Sequence, residues 1–184
     1  MRRKKLKIAL IALAAALVTL LTQPTLAFYS VLGDATNVIT SGEIACKIVE
    51  RMGSGEFPAE GVFVMPGSIV SKTVSVKNIG GNPFWLRVKL KNAVDDTTLS
   101  ADVLELDINS TEWIDGNDGY YYYHRVLQPD EETEKLFSQV KIAGNADNRY
   151  IGKTVRLTVC AYAVQSEYMD ASSPMDVAGW PAEG

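Results

Sequence analysis

From Ile69 to Lys91 the chain alternates apolar and polar positions with period two, interrupted once in the middle. Val70, Val74 and Val76 share one parity while Ser71, Thr73, Ser75 and Lys77 take the other. After the interruption Phe84, Leu86, Val88 and Leu90 alternate with Trp85, Arg87, Lys89 and Lys91. Successive side chains of a strand point to opposite faces, so this pattern predicts two half-buried strands. Gly80-Gly81-Asn82-Pro83 between them are turn residues, which predicts a hairpin. A hairpin with one apolar face must bury it against a second sheet, so a sandwich or barrel is the expected architecture.

The same alternation recurs along the chain. Ile44, Cys46 and Ile48 alternate with Ala45, Lys47 and Val49, and Val62 to Met65 predicts a short strand stopped by Pro66-Gly67. Asp115 to Gly119 is a turn leading into Tyr120 to Tyr123; Leu136, Val140 and Ile142 mark another strand, and Lys153 to Val164 the last long one. Asn92 to Asn109 fits the pattern less well: Leu104, Leu106 and Ile108 alternate as in a strand, whereas Leu99, Val103 and Leu106 also fit a helical turn. About 93–112 is therefore expected to be an insertion in a β-sandwich spanning 43–168. The expected fold is all-β, an antiparallel two-sheet sandwich of the jelly-roll or immunoglobulin-like kind. Phe28 to Gly42 is small and polar with scattered β-formers, and is expected as a flexible segment (28–42) ahead of the sandwich; 169–184 is expected as a C-terminal tail.

The N-terminus changes the picture. Arg2, Arg3, Lys4, Lys5 and Lys7 precede an apolar run from Ile8 to Leu21, too short for a comfortable membrane span, and Thr25-Leu26-Ala27 places small residues where a signal peptidase cuts. Residues 1–27 are therefore expected to be a signal peptide cleaved between Ala27 and Phe28, with an uncleaved anchor as the alternative. The precursor of 184 residues carries 18 basic and 22 acidic side chains, a formal charge of −4. Removal of the leader takes five basic residues and no acidic ones, leaving a clearly acidic protein. That balance argues against nucleic acid and anionic lipid as partners, and no second long apolar run argues for stable membrane insertion after cleavage. The expected product is secreted, or held at the cell surface by other proteins.

Cys46 and Cys160 are the two cysteines. In an exported chain a bridge between them is the first expectation. Parity weighs against it, because Cys46 shares a face with Ile44 and Ile48 whereas Cys160 lies opposite Val155, Leu157 and Val159. The pairing stays open.

Candidate chemistry is thin. His124, the single histidine, has no neighbouring nucleophile or carboxylate pair, and two cysteines with one histidine do not make a zinc site. Asp115, Asn117 and Asp118 are calcium-loop residue types, but the spacing is short by one and no distal glutamate follows, so a turn is the expectation. Four consecutive tyrosines put two side chains on each face, leaving at most two for a ligand. No catalytic residue, metal or cofactor is expected.

Three blocks carry a resemblance. The junction TLA-FYS followed by TNVITSGEI, the run VMPGSIVSKTVSVKNIGGNPFWLRVKL, and the pair YYYHRVLQPDEETEKLFSQVKI and VRLTVCAYAVQSEYM together cover most of the chain after the leader. In this order they resemble the TasA and camelysin family, exported biofilm matrix fibre proteins processed by a SipW-type signal peptidase. Asp130 after Pro129, where the family has glycine, and the two cysteines depart from the pattern. The resemblance implies a jelly-roll-like sandwich that polymerises head to tail, with itself or with related fibre subunits, by lending its trimmed N-terminal segment to a neighbour. Phe28, Tyr29, Val31, Leu32, Val38 and Ile39 would be the donated side chains. The alternatives are a monomeric surface adhesin or accessory fibre subunit, and a camelysin-like metallopeptidase, for which the sequence offers no recognisable zinc site.

Overall fold

Eleven strands form two sheets in a computed structural model that describes residues 29–38, 44–144, 146–167 and 169–182. The six-stranded sheet runs, in spatial order, β4 (Val62–Val64), β1 (Tyr29–Val38), β11 (Thr154–Gln165), β6 (Phe84–Val94), β9 (Tyr120–Tyr123) and β8 (Trp113–Asp115). The five-stranded sheet runs β3 (Gly55–Glu56), β2 (Cys46–Met52), β5 (Ile69–Asn78), β10 (Phe137–Ile142) and β7 (Leu104–Leu106). Both strands of the central pattern, β5 and β6, form where the alternation places them. They are not a hairpin, however, because they belong to opposite sheets.

The correction has a physical reason. Val70, Val74 and Val76 of β5 and Phe84, Leu86 and Val88 of β6 enter one core cluster, so the two apolar faces meet across the interior rather than side by side. Each such side chain contributes about 1.5–3 kcal/mol when fully buried. The crossing between sheets is held by Asn78, itself without exposed surface: its amide donates to the carbonyls of Asn82 (2.9 Å) and Leu127 (3.2 Å) and its Oδ1 accepts the Gly80 N–H (2.9 Å). A turn-rich sequence thus makes an arch between layers.

All the ladders are antiparallel except β1 with β11, the first and last strands described, which run parallel. The stretch expected as an insertion begins inside β6, which continues to Val94, and supplies β7 as a short edge strand, so the strand alternative is the one realised there. The outer face of the six-stranded sheet, which the alternation assigns to solvent, is partly covered. The C-terminal tail crosses it: Val177 packs with Trp85 and Val164, and Trp180 packs against the cluster of Tyr120, Tyr122, Cys160 and Tyr162.

Both cysteines are buried and free. Cys46 lies in the core between the sheets and Cys160 in the outer aromatic cluster, so the bridge left open above is not made, and opposite parity is the reason. Among the described residues no helix is long and apolar enough to cross a membrane.

Candidate functional site

The strand β1 is where the expected donor residues fall. Tyr29 to Val38, expected as a flexible segment apart from the strand set, forms a strand seated between β4 and β11 of its own chain. Tyr29, Leu32 and Val38 lie on it, and Val31 is fully buried in the inter-sheet core. Phe28, Ile39 and the Ala27–Phe28 junction lie outside the described residues. Nine residues of β1, from Ser30 opposite Thr154 to Val38 opposite Tyr162, are in register with β11. The opposite edge meets β4 over three residues only, Tyr29 to Val31.

That uneven cover leaves an opening. Ala35, exposed, lines an open groove of about 500 Å³ whose other wall includes Ile48, Glu50 and Phe57. The small side chain of Ala35 contributes little to filling the space between the sheets there, whereas Val31 nearer the β4 end is packed on all sides. The strand is therefore paired along one edge to Val38 and on its other edge only as far as Val31.

Charged groups at the groove are tied to each other. Glu132 accepts from both terminal nitrogens of Arg51, at 2.6 and 3.0 Å, and from the Ser75 hydroxyl. The Arg51 guanidinium holds the Glu132 carboxyl below its ordinary range against the opposing effect of burial, and the Ser75 hydroxyl adds to it. Deeper in, Lys72 Nζ lies 2.8 Å from Glu50 Oε1 and 4.0 Å from the centre of the Phe57 ring. The signal for this pair is visible in the sequence: Lys72 has the parity of Val70, Val74 and Val76, and Glu50 that of Cys46 and Ile48.

The tyrosine run divides as period two requires. Tyr121 and Tyr123 turn to the inter-sheet core, and Tyr120 and Tyr122 to the outer face. The outer pair does not form an open platform, because Trp180 meets Tyr122 edge-on at 5.8 Å and the Arg87 guanidinium lies 3.8 Å from the Tyr120 ring and 4.8 Å from that of Trp180. The alternation pattern gives Trp180 in the tail no role; an isolated tryptophan beyond the last strand is the signal that it docks.

His124 Nδ1 lies 3.1 Å from the Glu112 carbonyl oxygen and 3.2 Å from its carboxylate, a local contact beside the end of β9. Asp115 ends β8, and residues 116–119 are the turn to β9, with Asn117 at φ 54°. Its carboxylates hold the backbone: Asp115 accepts the Asn117 N–H, and Asp118 accepts the Tyr120 N–H and the Tyr122 hydroxyl. Among the described residues no group of three or more His, Cys, Asp or Glu side chains is placed to hold a metal ion.

Comparison with protein-family models, with curated proteins and with solved structures finds no match to this chain.

Proposed function

We propose that this is an exported structural protein, trimmed at Ala27–Phe28 by a SipW-type signal peptidase, that assembles into extracellular matrix or cell-surface fibres by exchange of β1 between copies. The finer reading of its fold as jelly-roll-like belongs to the same proposal. One observation carries it: β1 sits in a ladder whose partners, β4 and β11, are joined to it only through the body of the chain. A strand held that way is replaceable by the same strand from a neighbour with the same backbone hydrogen bonds, a form of β-augmentation. The loose cover near Ala35 lowers the barrier to its release.

The test compares chains beginning at Phe28 and at Ser41 by sedimentation and negative-stain microscopy. The longer chain is expected to form fibres and the shorter one, whose β1 slot between β4 and β11 is empty, to form none. Fibres from the shorter chain overturn the reading. A second reading, an accessory subunit or monomeric adhesin, is favoured by the seating of β1 in its own chain; a Phe28 chain that stays monomeric at high concentration selects it.

A further inference from the structure

Four strands end the two sheets: β4 and β8 in the six-stranded one, β3 and β7 in the five-stranded one. A strand at a sheet edge presents unpaired backbone N–H and C=O groups, and charged side chains are a common guard against pairing there with another chain. Three of the four carry one, each exposed: Glu56 on β3, Glu105 on β7 and Asp115 on β8. β4 carries none. Its residues are Val62, Phe63 and Val64, and no charged residue lies between Glu60 and Lys72.

The side chains of β4 sharpen that difference. Val64 enters the core between the sheets and Val62 packs against it, so Phe63 turns to the outer face, where it is 78% exposed. Met65 and Ile69, also exposed, extend the apolar surface across the turn that the Ser68 N–H closes on the Met65 carbonyl. Among the described residues no strand covers the outer edge of β4.

Charge selects the occupant. The chain after its leader is acidic, so two copies repel each other except where both are uncharged. Pairing β4 with β3, β7 or β8 of another copy sets its apolar residues beside a carboxylate, whereas pairing it with β4 of another copy buries no charge. We propose that the outer edge of β4 is a contact between two copies of this chain, joined antiparallel about a two-fold axis through Phe63. The contact is independent of β1 exchange. It is isologous and ends at two copies, so in a fibre it joins filaments side by side rather than lengthening them.

The flanks of the strand fix the register. A two-fold axis normal to the sheet keeps each side chain on its own face, so Phe63 stands opposite residue 61, 63 or 65 of the second copy. Opposite 61 it meets Gly61, whose φ of 76° lies outside extended strand. Opposite 65 it meets Met65, whose N–H is already bound to the Ser68 hydroxyl, and Val62 meets Pro66, which has no N–H. Opposite itself, Phe63 makes an aromatic pair and Val62 stands opposite Val64, so the whole strand is paired.

Phe63→Cys is made in the chain beginning at Phe28, with Ile114→Cys on the β8 edge, also exposed, as the measure of chance collision. Both are oxidised and run on denaturing non-reducing gels beside the parent chain, whose own cysteines are buried. Directly opposite residues lie within reach of a disulfide, so Phe63→Cys is expected to give a dimer linked through position 63, faster than Ile114→Cys and without a longer ladder. In sedimentation velocity the soluble fraction of the parent is expected to run as a dimer. Phe63→Lys sets two like charges opposite each other and is expected to lose that dimer while keeping the circular dichroism of the parent. A dimer that Phe63→Lys loses, while Phe63→Cys links no faster than Ile114→Cys, overturns the register and keeps the edge. A parent that stays monomeric, or a dimer that survives Phe63→Lys, overturns the contact. Fibres that form equally in Phe63→Lys and the parent leave β1 exchange standing in either case, so the two proposals fail separately.

Discussion

Lys72 on β5 and Glu50 on β2 form an ion pair inside the sandwich, with the Lys72 side chain fully buried and that of Glu50 15% exposed. Removing one charge of such a pair strands the other, which costs about 3–5 kcal/mol when the survivor is fully buried, whereas replacing both by apolar groups of similar volume is often neutral or stabilising. The two single substitutions are therefore expected to differ. Glu50→Gln leaves the buried ammonium against Phe57 and should cost about 3 kcal/mol; Lys72→Met leaves a carboxylate that water still reaches and should cost less. Urea unfolding of the two variants and of the double variant Glu50→Leu/Lys72→Met checks it. Equal losses, or a double variant weaker than either single one, contradict the argument.

What the sequence makes legible here is parity, and what it conceals is which layer a face meets. The alternation of β5 and β6 locates both strands, but their turn looks alike whether it joins neighbours in one sheet or crosses between two. The choice lies with Asn78 and its distant partner Leu127. Parity also weighs against a bridge between Cys46 and Cys160 without deciding it; their places in two separate clusters, one between the sheets and one on the outer face, decide it. The place of Tyr29–Val38 is hidden for the opposite reason: its partners on β11 lie more than a hundred residues away, and a small, polar strand has weak periodicity of its own. The covered outer face is hidden because Trp180 and Val177 sit in a stretch with no repeating pattern.

The docked tail gives a second expectation. Trp180 meets Tyr122 and the Arg87 guanidinium, contacts worth about 1–2 kcal/mol together. Trp180→Ala should lower the unfolding midpoint modestly, reduce the near-ultraviolet circular dichroism and expose 169–182 to limited proteolysis, with the sandwich intact. An unchanged cleavage pattern contradicts a tail held by this residue.

Thiol reactivity provides a third. Burial pushes the Cys46 thiol up to about 11, against a smaller opposing effect of a backbone hydrogen bond. At pH 8 about one thiol in a thousand is then ionised, so the thiolate that reacts is scarce as well as covered. Labelling with a thiol reagent at pH 8 should be slow in the native protein and reach two thiols per chain in urea without reductant. A chain two mass units lighter that labels only after reduction would show a Cys46–Cys160 bridge.

Acid should weaken the fold through carboxylates that the structure holds ionised. The Arg51 guanidinium beside Glu132 and the Arg125 guanidinium beside Glu131 keep both carboxyls below their ordinary range. Burial opposes ionisation of Asp107, but the Ser138 hydroxyl and the backbone N–H groups of Ser138 and Gln139 outweigh it and lower that carboxyl too. A carboxyl with a depressed folded-state pKa stabilises the fold above its unfolded value, about 4, and the contribution is lost as pH falls through the folded value. In that window the unfolded chain binds more protons, so stability rises with pH. Urea midpoints are expected to stay level from pH 7 to about 5 and to fall below about 4. Arg51 and Glu132 keep 40% and 31% of their side-chain surface exposed, so solvent screens the pair and its share is about 1 kcal/mol or less. Glu132→Gln should therefore lower stability slightly at pH 7 and flatten the acid slope, since one of the titrating groups is gone. Because Glu131 to Thr133 lies along β5 through the Asn78 N–H to Glu131 carbonyl and Thr133 N–H to Val76 carbonyl bonds, the backbone there stays paired in the variant. A variant whose midpoint falls with pH as steeply as that of the parent chain shows that Glu132 is not among the groups that acid titrates on unfolding.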